Sequence, residues 1–267
     1  MNRIQQLFRQ KKNILSVYFS AGYPSLNDTP ALMTALADAG ADMIEIGIPF
    51  SDPLADGPVI QHTSEVALKN GMSVKNLFQQ LRTYSPFRPK DVPLLLMGYL
   101  NPVLQYGPEN FCREAKACGI DGIILPDLPL QEYLDHYQEL FDKYGLLNIF
   151  LVTPQTSEQR IRLVDSHSKG FIYMVSSAST TGVKEGISAD QESYFKRMKE
   201  MKLQNPLLIG FGISDAGAFE KACSYANGAI VGSAFVKAVS DSGRIKEDVK
   251  SFITGMRIST TKNKMTL

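Results

Sequence analysis

The chain has 267 residues, 44% of them hydrophobic and 21% charged, with a formal net charge of +1. That composition allows a large core and excludes a disordered chain. The balanced charge, with no basic stripe interleaved with aromatics, gives no support to a nucleic-acid partner. No stretch approaches the ~18 apolar residues that cross a membrane, and the opening "MNRIQQLFRQKKNI" lacks the apolar run of a secretory signal. Cys112, Cys118 and Cys223 are widely spaced and form no Cys-x-x-Cys or Cys/His metal pattern. They are expected to be packed thiols in a reducing compartment, and the protein to be soluble and cytoplasmic.

Along the chain, short apolar runs alternate with helix-length segments. The runs are "ILSVYF" (14–19), "MIEIGI" (43–48), "PLLLMG" (93–98), "GIILP" (122–126), "LLNIFLV" (146–152), "FIYMVS" (171–176), "LLIGF" (207–211) and "AIVG" (229–232). Each is continuous rather than alternating, the pattern of parallel strands covered on both faces. Between them, "SLNDTPALMTALADAG" offers Asn27 or Asp28 as N-cap, Pro30 in the first turn and Gly40 as the stop. "GPENFCREAKACG" ends at Gly119, and "SDAGAFEKACSYANG" starts from Ser214 or Asp215. Three helices close as Ala-Gly-Ala-Asp, Cys-Gly-Ile-Asp or Ala-Asn-Gly-Ala and pass at once into a strand, the short connection of a repeated unit. Eight such units, with no linker and no break in composition, predict one α/β domain over 1–267, a closed (β/α)8 TIM barrel. An open doubly wound sheet is the alternative.

Two connections exceed what a barrel needs: about 49–59 after the second run, and 177–190, rich in Ser, Thr and Gly, after the sixth. Both leave the C-terminal ends of strands, where barrel active sites form and lids move. "GFGIS" (210–214) and "VGSAF" (231–235) leave the seventh and eighth runs. Their glycines admit close backbone approach, and Ser233 can open a helix whose free N–H groups favour a phosphate. "TTG" (180–182) offers a third contact.

The stretch "IEIGIPFSDPLADGP" (44–58) carries two acids in unlike settings. Glu45 sits inside an apolar strand. Facing the helix layer it would be an unpaired buried charge, so it is expected to point into the barrel, with its pKa raised by desolvation. It is then an acid–base candidate near neutral pH, or a structural carboxylate bonded to a neighbouring Tyr or Asn. Asp56 lies on a loop stiffened by Pro49, Pro53 and Pro58. It is either poised over the same mouth or a turn or helix-cap residue, and Asp52 competes with it in a setting that reads as turn chemistry. His62, His136 and His167 read as surface residues and "TKNKMTL" as a frayed end.

The segment "IEIGIPFSDPLADG" resembles the signature of the tryptophan synthase alpha chain family: aliphatic-Glu-aliphatic-Gly-x-x-Phe-Ser-Asp-Pro-x-x-Asp-Gly. "SAGYP" (20–24), "MGYLNPVLQYG" (97–107), "DGIILPDLP" (121–129), "FIYMVS", "GFGIS" and "VGSAFV" extend the likeness in order through the chain. The resemblance implies a lyase that splits indole-3-glycerol phosphate into indole and glyceraldehyde 3-phosphate without metal or organic cofactor. It places the family's catalytic glutamate on Glu45 and its aspartate on Asp56. Phosphate contacts fall on Gly212, Gly232 and Ser233, the sixth-strand tyrosine on Tyr173, and the first-strand aromatic on Tyr18. Thr181 and Gly182 fall on the lid. The lid departs from the family pattern: "SSASTTGVK" stands where many relatives read Ser-x-x-Gly-Val-Thr-Gly.

The resemblance also implies a pyridoxal-phosphate-dependent beta chain as partner in an αββα assembly. The strip Tyr99, Pro102, Val103, Leu104 and Tyr106 is the expected docking surface. Two other enzymes compete: a phosphosugar isomerase or decarboxylase on the same barrel, and a self-sufficient indole-glycerol-phosphate lyase. A non-catalytic sensor of phosphate esters is the non-enzyme reading.

Overall fold

The computed structural model describes residues 1–84, 91–175, 188–210, 212–239 and 243–258. The eight apolar runs become eight parallel strands: β1 (Ile14–Ser20), β2 (Met43–Gly47), β3 (Leu94–Met97), β4 (Gly122–Ile124), β5 (Leu147–Val152), β6 (Ile172–Val175), β7 (Leu207–Gly210) and β8 (Gly228–Val231). They close in sequence order, with β8 pairing back onto β1, and this closure excludes the open sheet. Helices α1 (Arg3–Gln10), α2 (Thr29–Ala39), α3 (Pro58–Lys69), α4 (Val74–Tyr84), α5 (Leu100–Tyr106), α6 (Pro108–Ala117) and α7 (Leu130–Glu132) come first. A π-helical turn at Tyr133–Tyr137 joins α7 to α8 (Gln138–Tyr144), and α9 (Glu158–His167), α10 (Ala189–Glu200), α11 (Ala216–Tyr225), α12 (Ser233–Ala238) and α13 (Ile245–Arg257) complete the order. No helix among the described residues is long and apolar enough to cross a membrane.

Alternation along each strand divides the apolar residues into two sets. Leu15, Val17, Phe19, Ile44, Ile46 and Leu96 join the layer beneath the helices. Ile14, Tyr18, Met43, Leu95, Ile124, Ile149, Phe171, Tyr173, Leu208 and Ile230 fill the barrel. Asp28 is the N-cap position of α2, but its carboxylate accepts from the Ser25 N–H at 3.0 Å rather than from the helix. Gly40 ends α2 at a φ of +92°, as expected. Asp215, not Ser214, caps α11, accepting from the Ala218 N–H at 2.9 Å. Cys112 and Cys118 are buried, and Cys223 is half-buried.

The repeated helix-to-strand connections have a common use. Asp42 accepts from the Leu15 N–H at 2.8 Å, Asp121 from that of Leu94 at 2.9 Å, and the Asn227 side chain from that of Leu207 at 2.9 Å. Each polar residue satisfies an N–H near the start of the strand preceding its helix, where a buried donor left alone would cost about 1–3 kcal/mol. Helix α1, to which the sequence reading assigned no part, closes the barrel base. Its Ile4 enters the barrel cluster, and Arg3 forks onto Asp121 with contacts of 2.9 and 2.6 Å. Lys11 and Arg257 both pair with Asp42.

Closure also demands that β1 and β8 come very close. A Cβ on Gly228 would lie 2.1 Å from the carbonyl oxygen of Ile14 and 2.6 Å from its nitrogen. Backbone in a ladder cannot swing aside as a flexible side chain can. Gly228→Ala is therefore expected to destabilise the fold by about 3 kcal/mol, read as a lower urea midpoint. Gly255→Ala, where a Cβ meets nothing within 4 Å, should be neutral or stabilise by about 0.5–1 kcal/mol.

Candidate active site

Glu45 is completely buried on the inner side of β2, between Ile44 and Ile46, which face the helices. Its Oε1 accepts a 2.6 Å hydrogen bond from Ser16 Oγ on β1. Its Oε2 has no hydrogen-bond partner among the described residues. Burial pushes its pKa up to about 7, and the Ser16 bond holds it back from rising further. Among the described residues its hydrogen-bond partner is a serine, not the Tyr or Asn that the structural alternative expects.

Asp56 is partly buried on the loop between β2 and α3. Tyr99 Oη donates to its Oδ2 at 2.9 Å and itself accepts from the Ala55 N–H at 3.0 Å. Tyr99 thus clamps the loop at two points, and its ring lies 5.3 Å from that of Phe50. Burial raises the Asp56 pKa to about 6, partly offset by the Tyr99 bond. Asp56 is not a helix cap: Gly57 is the N-cap of α3 and Pro58 its first residue. Asp52 is exposed and accepts from Ser51 Oγ at 2.5 Å, the turn chemistry expected of it.

Two tyrosines stand over glycines at the mouth. A Cβ on Gly47 would fall 2.2 Å from Tyr18 Oη, and one on Gly210 would fall 2.3 Å from Tyr173 Oη. Any larger residue would expel the rings. Thr63 Oγ1 donates to the Ile60 carbonyl at 2.9 Å, which leaves it to accept from Ser20 Oγ at 2.6 Å. Ser20 in turn lies 3.4 Å from Tyr18 Oη. Burial, with the Asp56 and Glu45 carboxylates adding to it, holds the Tyr18 phenol far above its usual pKa. Burial first, then Glu45 and Asp56, does the same for Tyr173. Tyr18 also borders the β8 loop: a Cβ on Gly232 would meet its ring at 3.4 Å. Gly232 is the N-cap of α12, which Ser233 begins, and Gly212 after β7 has a φ of +77°.

The structure therefore brings Glu45, Tyr18, Tyr173 and Asp56 to one end of the barrel, with Gly232 beside Tyr18 and Ser233 following it at the start of α12. Thr181 and Gly182, with most of the 177–190 loop, lie outside the described residues, as does "TKNKMTL". His62 and His136 are exposed and His167 is half-buried. Two contributors escaped the sequence reading. Ser16 shares the inward face with Tyr18 by the two-residue strand period, a signal that was available. Tyr99 was read only as docking surface, and nothing local shows that its hydroxyl reaches Asp56.

The closed parallel barrel, with its candidate site at one end, is a (β/α)8-barrel of the kind that enzymes use. The family model described as tryptophan synthase alpha chain matches residues 4–264. The tryptophan synthase alpha chain of Flavobacterium psychrophilum is 56% identical over 91% of this chain and 95% of its own length. The solved tryptophan synthase alpha chain of Legionella pneumophila superposes with a TM-score of 0.86 at 32% identity, covering 100% of both chains. A chain of the tryptophan synthase complex from Pyrococcus furiosus superposes at 0.82 with 33% identity, over 92% of this chain and 98% of that one. The chain belongs to the tryptophan synthase alpha chain family, the lyases of the indole-3-glycerol phosphate cleavage step in tryptophan biosynthesis.

A carboxyl whose pKa rises from 4.5 to about 7 on folding makes the folded state bind the proton more tightly than the unfolded chain. Stability then falls as pH rises through that interval, and the full cost is present above it. Glu45→Gln, which removes the charge, should raise stability at pH 8.5 by roughly 2–3 kcal/mol, or about 5 °C in melting temperature. At pH 4 the difference should close, a comparison that thermal melts at the two pH values would make.

Proposed function

We propose that Glu45 is the acid and base of the cleavage and Asp56 the group that stabilises the indole nitrogen. The observation that carries this is the unlike pair of carboxyls: one inside the barrel with an oxygen unpartnered among the described residues and a pKa near neutrality, one on a loop with its pKa about 6 and held by Tyr99. Protonated Glu45 gives its proton to indole C3, which becomes tetrahedral while positive charge appears on the nitrogen. Asp56 accepts the indole N–H and stabilises that charge. The hydroxyl on the adjoining carbon then returns a proton to Glu45. Its electrons form the aldehyde, and those of the breaking carbon–carbon bond restore the indole. Glu45 ends protonated, so the cycle closes.

Gly212, Gly232 and Ser233 hold the phosphate, where backbone can approach and a helix opens. Tyr18 and Tyr173 line the space between that anion and the acid. No metal or organic cofactor enters this scheme. A pure phosphate sensor would gain nothing from two nearby carboxylates, and an isomerase has no use for the acid on the proline loop. Glu45→Gln should lower indole release by about 10²–10⁴-fold with glycerol 3-phosphate affinity little changed, and Asp56→Asn should also cripple turnover. Assay of indole from pure protein and indole-3-glycerol phosphate decides: near-normal turnover in either variant removes that residue from its role.

The partner in this reading is a pyridoxal-phosphate-dependent beta chain in an αββα assembly in the cytoplasm, passing indole on directly. The expected docking strip needs correction. Val103 is fully buried, Tyr99 faces Asp56, and Tyr106 packs on Phe78 at 5.5 Å, because α5 lays these residues against the core. Leu104 remains 48% exposed, and Leu54 on the acid loop is 90% exposed, larger apolar exposure than a solvent-facing loop end needs. Leu104→Asp should abolish activation by the beta chain while sparing basal turnover. Full activity of the isolated chain, with no response to micromolar beta chain, would instead mark a self-sufficient lyase.

A further inference from the structure

Ser16 has no part in the scheme above, yet it touches the acid. It lies on β1 two residues before Tyr18, so both side chains enter the barrel. Its neighbours across the ladder, Met43 on β2 and Ile230 on β8, are apolar. A hydroxyl at this depth without a partner would cost about 1–3 kcal/mol. Ser16 is completely buried and spends its proton on Glu45 Oε1 at 2.6 Å. The two oxygens of Glu45 therefore have different fates, since Oε2 has no partner among the described residues.

We propose that Ser16 is a positioning residue for the cleavage: its bond pins Oε1 against β1 and makes Oε2 the oxygen that exchanges protons with the substrate. This rests on Glu45 being the acid. A glutamate has three rotatable side-chain bonds, and one short buried hydrogen bond selects among its orientations before substrate arrives. The bond also responds to charge. A hydroxyl donating to a carboxylate is about twice as strong as one donating to a neutral acid, so Ser16 strengthens its hold when Glu45 gives its proton to carbon.

The charged or titratable groups acting on this part of the barrel are Tyr18 on β1 and Tyr173 on β6, each of which interacts with both Glu45 and Asp56 of the loop after β2; the register partner of Glu45 on β3 is the uncharged Leu95. Both phenols stay protonated through the neutral range, since burial raises them. Of these groups only Asp56 and Glu45 titrate near neutrality, and the reaction needs Asp56 ionised and Glu45 protonated. The pH profile of kcat/KM should be bell-shaped, its acid limb set by Asp56 and its alkaline limb by Glu45.

The test is that profile in Ser16→Ala. Loss of the bond should move the alkaline limb up by about one pH unit and leave the acid limb in place. It should lower kcat roughly tenfold at little change in KM. Ser16→Thr, which keeps the hydroxyl, should restore both. An unmoved alkaline limb in a Ser16→Ala protein that binds glycerol 3-phosphate like the parent overturns the proposal, and so does a Ser16→Thr variant that behaves as Ser16→Ala. Glu45→Gln run beside them separates the two levels. If it is inactive and the Ser16→Ala limb is unmoved, only Ser16 loses its role; if it keeps turnover, the assignment of Glu45 falls and Ser16 with it.

Discussion

A carboxyl group sealed inside a barrel is destabilising whenever it is charged, and the organisation of this mouth follows from that constraint. Glu45 sits among strands whose inward residues are otherwise mostly apolar, with one serine as its hydrogen-bond partner. Its pKa near 7 is a consequence of the burial, not of a dedicated charge partner. The same burial makes it able both to give and to take a proton at neutral pH. On the proposed role, stability and reactivity are opposed at this one residue, and the apolar cluster around it supplies burial that offsets the cost.

Two devices make that interior possible. At the mouth, glycine is used for what it lacks. Gly47 and Gly210 clear the space occupied by Tyr18 and Tyr173, so large rings can roof the acid without pushing the strands apart. At the base, Asp42, Asp121 and Asn227 satisfy strand N–H groups that ladder pairing does not reach, and α1 covers the opening with Ile4. Arg3, Lys11 and Arg257 neutralise the two aspartates. The aspartates at the base are paired with cations, whereas Glu45 and Asp56 have no ion pair among the described residues.

The loop after β2 carries the second requirement. Its prolines limit the positions it can take, and Tyr99 decides among those by holding Asp56 and the Ala55 backbone together. Because Tyr99 immediately precedes α5, whose Leu104 is exposed, the clamp lies between the docking candidate and the acid. A partner pressing on α5 would act on Asp56 through one residue rather than through a long relay.

Much of this was legible in the chain. The continuous apolar runs are set by local burial on both faces, so all eight strands could be read from composition and spacing. The inward direction of Glu45 followed from strand alternation and the cost of a lone buried charge. Asp56 stood out by its place in a long motif, although Asp52 four residues away could not be dismissed by pattern. What the sequence by itself determined, then, is the barrel, the long connection after β2 and the two acids. Only the tertiary structure decided that α1 plugs the base, that Val103 turns inward while Leu104 does not, that Ser16 meets Glu45 across 29 positions, and that Tyr99 meets Asp56 across 43. The physical reason is the same throughout. Side-chain periodicity is a property of one segment, but which oxygen faces which hydroxyl depends on the register between strands and the path of a loop, and those are settled only when the barrel closes.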